Sequence, residues 1–402
     1  MNKSTFFSGQ PIIAQLVGYV PMSVVVKAVE EHDSDRYYKK FTTYHHLITL
    51  LYGCFQHCTS LREVVSGMRA CEGRLQSLQL RYLPARSTLA DANEHRSYEV
   101  FADIYSALYA RYHQVLADSC PKKNRRDLLI IDSTTIALFQ EILKNAGRRG
   151  INGKKKGGIK VHTAIHSKED VPFLVSLTAA NQADVSFLQQ LSPPKGSIVV
   201  MDRGYNNYKV FDRWGKEGVS WITRLRKKAV VEVLEDRPVK ESQRLKGVQR
   251  DQQIRLGFKN KQIQQVRCRL ITYYDQDKKR EFQFLTNNNR LSPARVAEYY
   301  KGRWQIESLF KRLKQNMQLQ YFLGDNENAI KVQIYCTLIA DLLLKIVKAG
   351  VKRSWSFSGI ASIVRLHLMN YTRLKDFLEN PDKCFIVNPA PSSNQLRLNL
   401  SG

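Results

Sequence analysis

Residues 299–318 read YYKGRWQIESLFKRLKQNMQ. The run predicts one helix, with Ser292 as its cap and Pro293 in a first turn that does not need the missing N–H. Counted from Tyr300, the residues Arg303, Glu307 and Lys314 stand 3, 7 and 14 positions along. At about 100° per residue all four fall within roughly a 60° arc. One narrow stripe therefore carries a phenol, a guanidinium, a carboxylate and an ammonium. Ile306, Leu309, Phe310, Leu313 and Met317 form the apolar flank that would seat it on a core. Two readings fit the stripe. It is a solvated face with i,i+4 pairing, the commoner use of such residues. Or it is a site where the carboxylate holds a divalent ion and the cations hold phosphate oxygens. The second reading gains weight only if other carboxylates reach the same place.

Two aspartates meet that condition. Each follows a short apolar run: LLIID ends at Asp132 and IVVMD at Asp202. A carboxylate at the end of a buried parallel strand points into the crevice where α/β sheets bind ligands. A single such Asp is read as a turn cap, but two in one sheet are harder to dismiss. With Glu307 the acids follow the order Asp, Asp, Glu, separated by 70 and 105 residues. Three carboxylates are what two divalent ions need on either side of a phosphodiester. Magnesium suits oxygen donors of this kind.

The surrounding chain supports a nucleic-acid enzyme. It has 402 residues, with 63 Lys+Arg against 36 Asp+Glu, a net charge of +27. Such a surplus calls for a polyanionic partner. No apolar run approaches the ~18 residues of a membrane span, and the start, MNKSTFFSGQ, shows no signal-peptide core. The expectation is a cytosolic protein in a reducing compartment, with no membrane partner. Seven dispersed cysteines argue against a disulfide framework, and Cys54, His57 and Cys58 read as core positions on an apolar helix rather than a zinc site.

Five segments are expected. Residues 1–120 read as a helical DNA-binding domain, with an ordinary helical domain as the bland alternative. Residues 121–225 read as strands in a meander, then strands alternating with helices. Residues 226–290 read as a basic β-rich insertion; positions 224–270 hold 14 Lys/Arg against five Asp/Glu. Residues 291–350 carry the helix with Glu307 and a second, buried helix, and 351–402 a further helical stretch and a tail.

At this point the chain resembles a DDE transposase of a bacterial insertion sequence, in the subgroup with the signature Y-x2-R-x3-E-x6-K. Tyr300, Arg303, Glu307 and Lys314 meet every spacing, and the turn DRGY at Asp202–Tyr205 and the β insertion fit as well. The resemblance implies an α/β RNase H-like catalytic core with a β-rich insertion, flanked by the helical N-terminal domain and C-terminal helices. It implies that Asp132, Asp202 and Glu307 are catalytic and hold two Mg2+ ions, with Mn2+ able to substitute. It implies strand cleavage at transposon terminal inverted repeats, then attack of the freed 3′-hydroxyl on target double-stranded DNA, by a homodimer on paired ends. Tyr300, Arg303 and Lys314 would contact phosphates near the cleaved strand. In relatives with this signature excision passes through a hairpin, which the insertion would help to hold.

Other residues are placed by weaker signals. GRRGINGKKKGGIKVH (Gly147–His162) fails the Walker A spacing and reads as a loop in which Lys154, Lys155 and Lys156 bind the DNA backbone, or as a solvated loop. Lys160 and His162 share one face of a strand, lining the site and its DNA or forming a surface pair. Asn181 and Asp184 resemble a family turn and are expected to be structural. Trp214, Trp221 or Trp304 would stack on a base or sit in the core. Two rival functions stay open: a DNA-binding regulator of transposition with an inactive core, and a related nuclease without strand transfer.

Overall fold

The computed structural model describes residues 9–118, 128–137, 158–179, 184–257, 265–317, 319 and 322–384. Helices come first, as α1 (Ile12–Val17), α2 (Met22–Glu31), α3 (Thr43–Gln56), α4 (Leu61–Ala70), α5 (Arg86–His95) and α6 (Tyr98–Asp118). The apolar run from Ile12 to Val26 is split between α1 and α2 because Pro21 sits extended at the start of α2. Caps at Thr42 and Ser60 open α3 and α4 by accepting from His45 N–H and Glu63 N–H.

The strands follow: β1 (Leu128–Ala137), β2 (Gly158–His166), β3 (Pro172–Ala179), β4 (Ile198–Met201), then α7 (Tyr208–Lys216) and β5 (Ser220–Arg224). Next come β6 (Val231–Asp236), α8 (Glu241–Arg244), β7 (Val248–Leu256), β8 (Val266–Asp275) and β9 (Arg280–Thr286). Among the described residues they form one nine-stranded sheet in the order β3-β2-β1-β4-β5-β9-β8-β7-β6. β1, β4 and β5 run parallel at its centre, and antiparallel strands extend it on both sides. The strands of residues 226–290 therefore continue the same sheet through β9, which pairs with β5.

The last helices are α9 (Pro293–Lys301), α10 (Trp304–Asn316), α11 (Glu327–Ala349), α12 (Phe357–His367) and α13 (Leu374–Glu379). The single helix expected over 299–318 is two. Arg303, Gln305 and Ile306 donate to the carbonyls three residues back, at Tyr300, Gly302 and Arg303. This tightened turn at Gly302 separates α9 from α10. The further helical stretch expected within 351–402 is likewise two helices, α12 and α13. No described helix is long and apolar enough to cross a membrane.

Period-two alternation splits the central strands between two cores. Leu128, Ile130, Ile198, Val200 and Ile222 join the helical core, while Leu129, Ile131, Val199, Met201 and Trp221 join a smaller core with Trp214 and Phe211. α11 is buried along most of its length and packs on α3, α5, α6 and α12. It is the post around which the N- and C-terminal helices assemble.

An ion cluster ties α10 to this post. Arg312 Nε donates to Asp341 Oδ1 at 2.8 Å and its Nη1 to Asp170 Oδ2 at 2.7 Å, and Lys345 Nζ donates to the same Asp170 oxygen at 2.6 Å. Asp341 is 1% exposed, and Arg312 is its ion-pair partner. Arg312→Met should cost about 3 kcal/mol or more by leaving Asp341 buried and unpaired. Urea unfolding reads this as a lowered midpoint; an unchanged midpoint would show that the cluster is dispensable.

Candidate active site

The parallel pairing of β1 and β4 ends at Ile131 opposite Met201. Both partners face the smaller core. The next residue of each chain, Asp132 and Asp202, therefore turns to the opposite face, where α9 and α10 lie. Here the reading of Asp132 as the last residue of its strand needs correction. β1 runs on to Ala137, still paired with β2, and only its partner β4 stops. The crevice opens because one neighbour ends, not because the strand does.

α10 packs on β1, and α9 on β4 and β5. Tyr300 donates its hydroxyl to Asp202 Oδ1 at 3.1 Å. The Arg303 guanidinium lies between two acids: Nη1 donates to Asp132 Oδ2 in a short contact, and Nη2 donates to Glu307 Oε1 at 2.6 Å. Lys314 Nζ donates to Thr134 Oγ1 on β1 at 3.2 Å. Tyr300, Arg303 and Lys314 thus reach the sheet's residues despite the break at Gly302, and Glu307 is joined to them through Arg303. The solvated-face reading does not fit Tyr300, 7% exposed, or the Arg303 side chain, 13% exposed, whereas the Glu307 side chain is 37% exposed and makes an i,i+4 pair with Arg303.

The environment sets their charges. Burial pushes the Asp132 carboxyl up to about 6; Arg303 and the Ser133 N–H pull it down, while the charges of Asp202 and Glu307 push it further up. Burial also raises Asp202, but the Arg224 guanidinium, hydrogen-bonded to it at 2.9 Å, outweighs this and holds it below the usual carboxylate range. Burial, then the charge of Asp202, lifts the Tyr300 hydroxyl to about 12, so it stays a donor. Arg303 is held protonated against burial by Asp132, Tyr300 and Glu307.

The three acids share a cationic neighbourhood rather than one ligand shell. Among the described residues no three His, Cys, Asp or Glu side chains stand close enough together to hold a metal ion. The reason is on view: a guanidinium fills the space between Asp132 and Glu307. A cation is already what this position takes, and the donors around it are carboxylate oxygens, the set a hard divalent ion prefers. Nε of Arg224 and Nε of Arg303 are buried with no acceptor among the described residues. Buried guanidinium donors left open in this way suit an anionic ligand.

The other expected residues divide. Lys160 donates to Asp184 Oδ1 at 2.9 Å beside the site. His162 is fully buried, hydrogen-bonded to Tyr205 OH at 3.0 Å and Thr178 Oγ1 at 2.9 Å. Burial lowers its pKa to about 4, Asp184 opposing and Lys160 assisting. A neutral, enclosed imidazole is neither a surface partner of Lys160 nor a DNA-binding cation, so both of those readings are corrected. Trp214 and Trp221 are fully buried core residues, whereas Trp304 is 54% exposed beneath the Lys278 ammonium. Lys154, Lys155, Lys156 and Asn181 lie outside the described residues. His57 Nε2 meets Asn316 O at 2.7 Å. Reading by pattern missed Arg224, although it ends β5, the third parallel strand.

Comparison with known proteins gives the setting. The Transposase DDE domain matches residues 123–343, more than half of the chain. A domain of unknown function, DUF4372, matches residues 8–80. Transposase y4zB of Sinorhizobium fredii is 31% identical over 68% of this chain and 75% of its own length. The transposase named for insertion sequence element IS4SA of Synechocystis is 25% identical over 65% of this chain and 71% of its own. The one named for IS5377 of Geobacillus stearothermophilus is 26% identical over 66% and 70%. The piggyBac transposase synaptic complex with hairpin DNA superposes with a TM-score of 0.44 at 11% identity, over 98% of this chain and 87% of that one, too low to establish a shared fold.

The site's electrostatics can be checked directly. Unfolded Asp titrates near 3.9, so ionising Asp132 in the folded chain costs stability as pH rises from about 4 through about 6. Its carboxyl 13C shift should titrate near pH 6. Since the Arg303 charge lowers that value, Arg303→Met should move the midpoint upward; a midpoint near 4 in either protein would contradict the account.

Proposed function

The chain belongs to the DDE transposase family, and on that premise we propose that Asp132, Asp202 and Glu307 are the metal-holding acids of its cleavage and joining reaction. It is a DNA transposase. Enzymes of this family cut and join DNA at the ends of mobile elements, with a divalent metal. The observation that carries the assignment is the pair of acids following Ile131 and Met201 in register, facing the helix with Glu307 and linked to it by Arg303.

Magnesium is the proposed ion, manganese its substitute, and two ions bound by these carboxylates would supply Lewis acidity to the attacking and leaving oxygens. The remaining chemistry belongs to the chain's own groups. Asp132 and Asp202 enter as ionised ligands at neutral pH, Asp202 kept so by Arg224. Arg303 releases carboxylate oxygens and takes phosphate oxygens, one anion exchanged for another, while its open Nε offers a further donor. Tyr300, held protonated, donates to a phosphate oxygen or keeps Asp202 in place. Lys314 sits at Thr134, two residues beyond Asp132 on β1, where the next phosphate of the strand would run.

The same reading makes the core RNase H-like and assigns the chain to the subgroup with the Tyr-Arg-Glu-Lys signature. Residues 1–120 and the basic insertion 226–290 serve as DNA-contacting parts, and Lys154, Lys155 and Lys156 as backbone contacts. Two copies act on paired transposon ends, cutting at the inverted repeats and passing the 3′-hydroxyl to target duplex.

Asp132→Ala should leave binding to a duplex bearing the terminal inverted repeat within about threefold of the parent and abolish its cleavage in Mg2+ or Mn2+. Equal loss of binding would contradict the assignment. Binding should weaken steeply with salt, with a log–log slope near −0.9 per phosphate neutralised. Lys314→Met should reduce that slope by about one; an unchanged slope would remove Lys314 from the phosphate path.

A further inference from the structure

We propose that Asp184 is a positioning residue that sets the spacing between Asp132 and Asp202. The inference rests on the reading of those two aspartates as metal carboxylates. Asp184 opens the short 3-10 turn Asp184–Gln189 that follows β3. Its Oδ1 accepts from Lys160 Nζ at 2.9 Å and from Ser133 Oγ at 3.5 Å. Ser133 is the residue after Asp132, and its N–H donates to Asp132 Oδ1 at 2.9 Å.

The other oxygen of Asp184 reaches the second aspartate's turn. A methyl group placed on Gly204 would stand 2.8 Å from Asp184 Oδ2. A side chain at position 204 would press on this carboxylate and make it shift. Gly204 is two residues after Asp202. One carboxylate thus touches the residue following one acid and the turn following the other.

The surroundings hold this wedge in place. Tyr205 is 1% exposed, and its hydroxyl lies 3.0 Å from His162 Nδ1, which is itself 3.9 Å from Asp184 Oδ1. From another direction Arg226 donates to the carbonyls of Arg203, Gly204 and Asn206. The turn is therefore clamped between a guanidinium and a carboxylate.

Why the acids need such a clamp follows from the sheet. The last parallel pair of β1 and β4 is Ile131 with Met201. Beyond it no ladder joins the two strands, so backbone hydrogen bonding does not set the distance between positions 132 and 202. Side chains add to the spacing there, and Asp184 reaches from Ser133 on one strand to the turn at Gly204 after the other. It is not itself offered as a ligand, because its Oδ1 is engaged by an ammonium. Metal ligands held by a displaced outer shell lose affinity and rate together.

The test compares the full-length parent with Asp184→Ala, Asp184→Asn, Gly204→Ala and, as a control, Asp132→Ala. Mn2+ affinity is measured without DNA by electron paramagnetic resonance, alongside thermal unfolding, end-duplex binding and the Mg2+ dependence of cleavage. Asp184→Ala and Gly204→Ala should bind Mn2+ about 10- to 100-fold more weakly. Their half-saturating Mg2+ for cleavage should rise in parallel, with end binding within about threefold of the parent. Asp184→Asn should fall between them and the parent, because an amide oxygen still accepts from Ser133. Gly204→Ala removes no polar group, so a matching defect there identifies spacing rather than charge.

Parental Mn2+ affinity and Mg2+ dependence in Asp184→Ala and Gly204→Ala, with or without a loss of thermal stability, would overturn the proposal. If Asp184→Ala does not fold, parental values in Asp184→Asn and Gly204→Ala would do the same. Asp132→Ala separates the two levels. If it keeps parental Mn2+ affinity, the metal reading of the aspartates fails; if it loses affinity while the Asp184 and Gly204 variants do not, only the positioning role fails.

Discussion

Everything at this site depends on where β4 stops. Parallel pairing with β1 ends at Ile131 and Met201, and the two chains then part with an acidic residue next on each. Pleating decides the face. Ile131 and Met201 pack into the smaller core, so the following residues must turn to the side that the helices cover. A shift of one residue in either strand would bury one aspartate among Trp214, Phe211 and Leu285 instead. Two independent cores, one on each face of the sheet, make such a slip costly, since every apolar side chain of the strand would change sides.

Bringing acids together on a half-buried surface creates a charge problem, and the chain meets it with arginine. Asp202 faces Arg224, and Asp132 and Glu307 share Arg303. Opposite charges at about 4 Å gain a few kcal/mol where the effective dielectric is near 20. That is enough to keep Asp202 ionised but not to return Asp132 to its ordinary value. The fixed fork of a guanidinium lets one side chain serve two carboxylates, which a lysine could not do with the same geometry.

The scaffold behind the site is rigid for a related reason. α10 is anchored at its start by the Arg303–Asp132 contact and beyond Glu307 by Arg312, which binds Asp341 on the buried α11 and Asp170 in the turn between β2 and β3. Asp170 takes a positive φ of 53° there, a conformation Asp tolerates better than most residues. The helix bearing Glu307 is thus fixed to the sheet on one side and to the helical core on the other.

Local pattern was enough to locate much of this. Apolar runs marked the central strands, the helical wheel marked the face of the Tyr300–Lys314 stripe, and the spacing of its four polar residues pointed to the family. These features are legible because they repeat within a few residues, at periods of 2 and 3.6. Other features were set only when the chain closed on itself. The break at Gly302 depends on α9 and α10 packing on different strands. His162 could not be told from a surface residue, since its burial comes from Tyr205 and Thr178, which are distant in sequence. Arg224 carries no local signal and Asp184 signals only a turn, because what matters about them is which carboxylate or turn they meet across the sheet. The sequence alone determined which residues could form elements and which faces would be apolar. Which charges meet was decided by tertiary structure, because an ion pair depends on distance in space rather than separation along the chain.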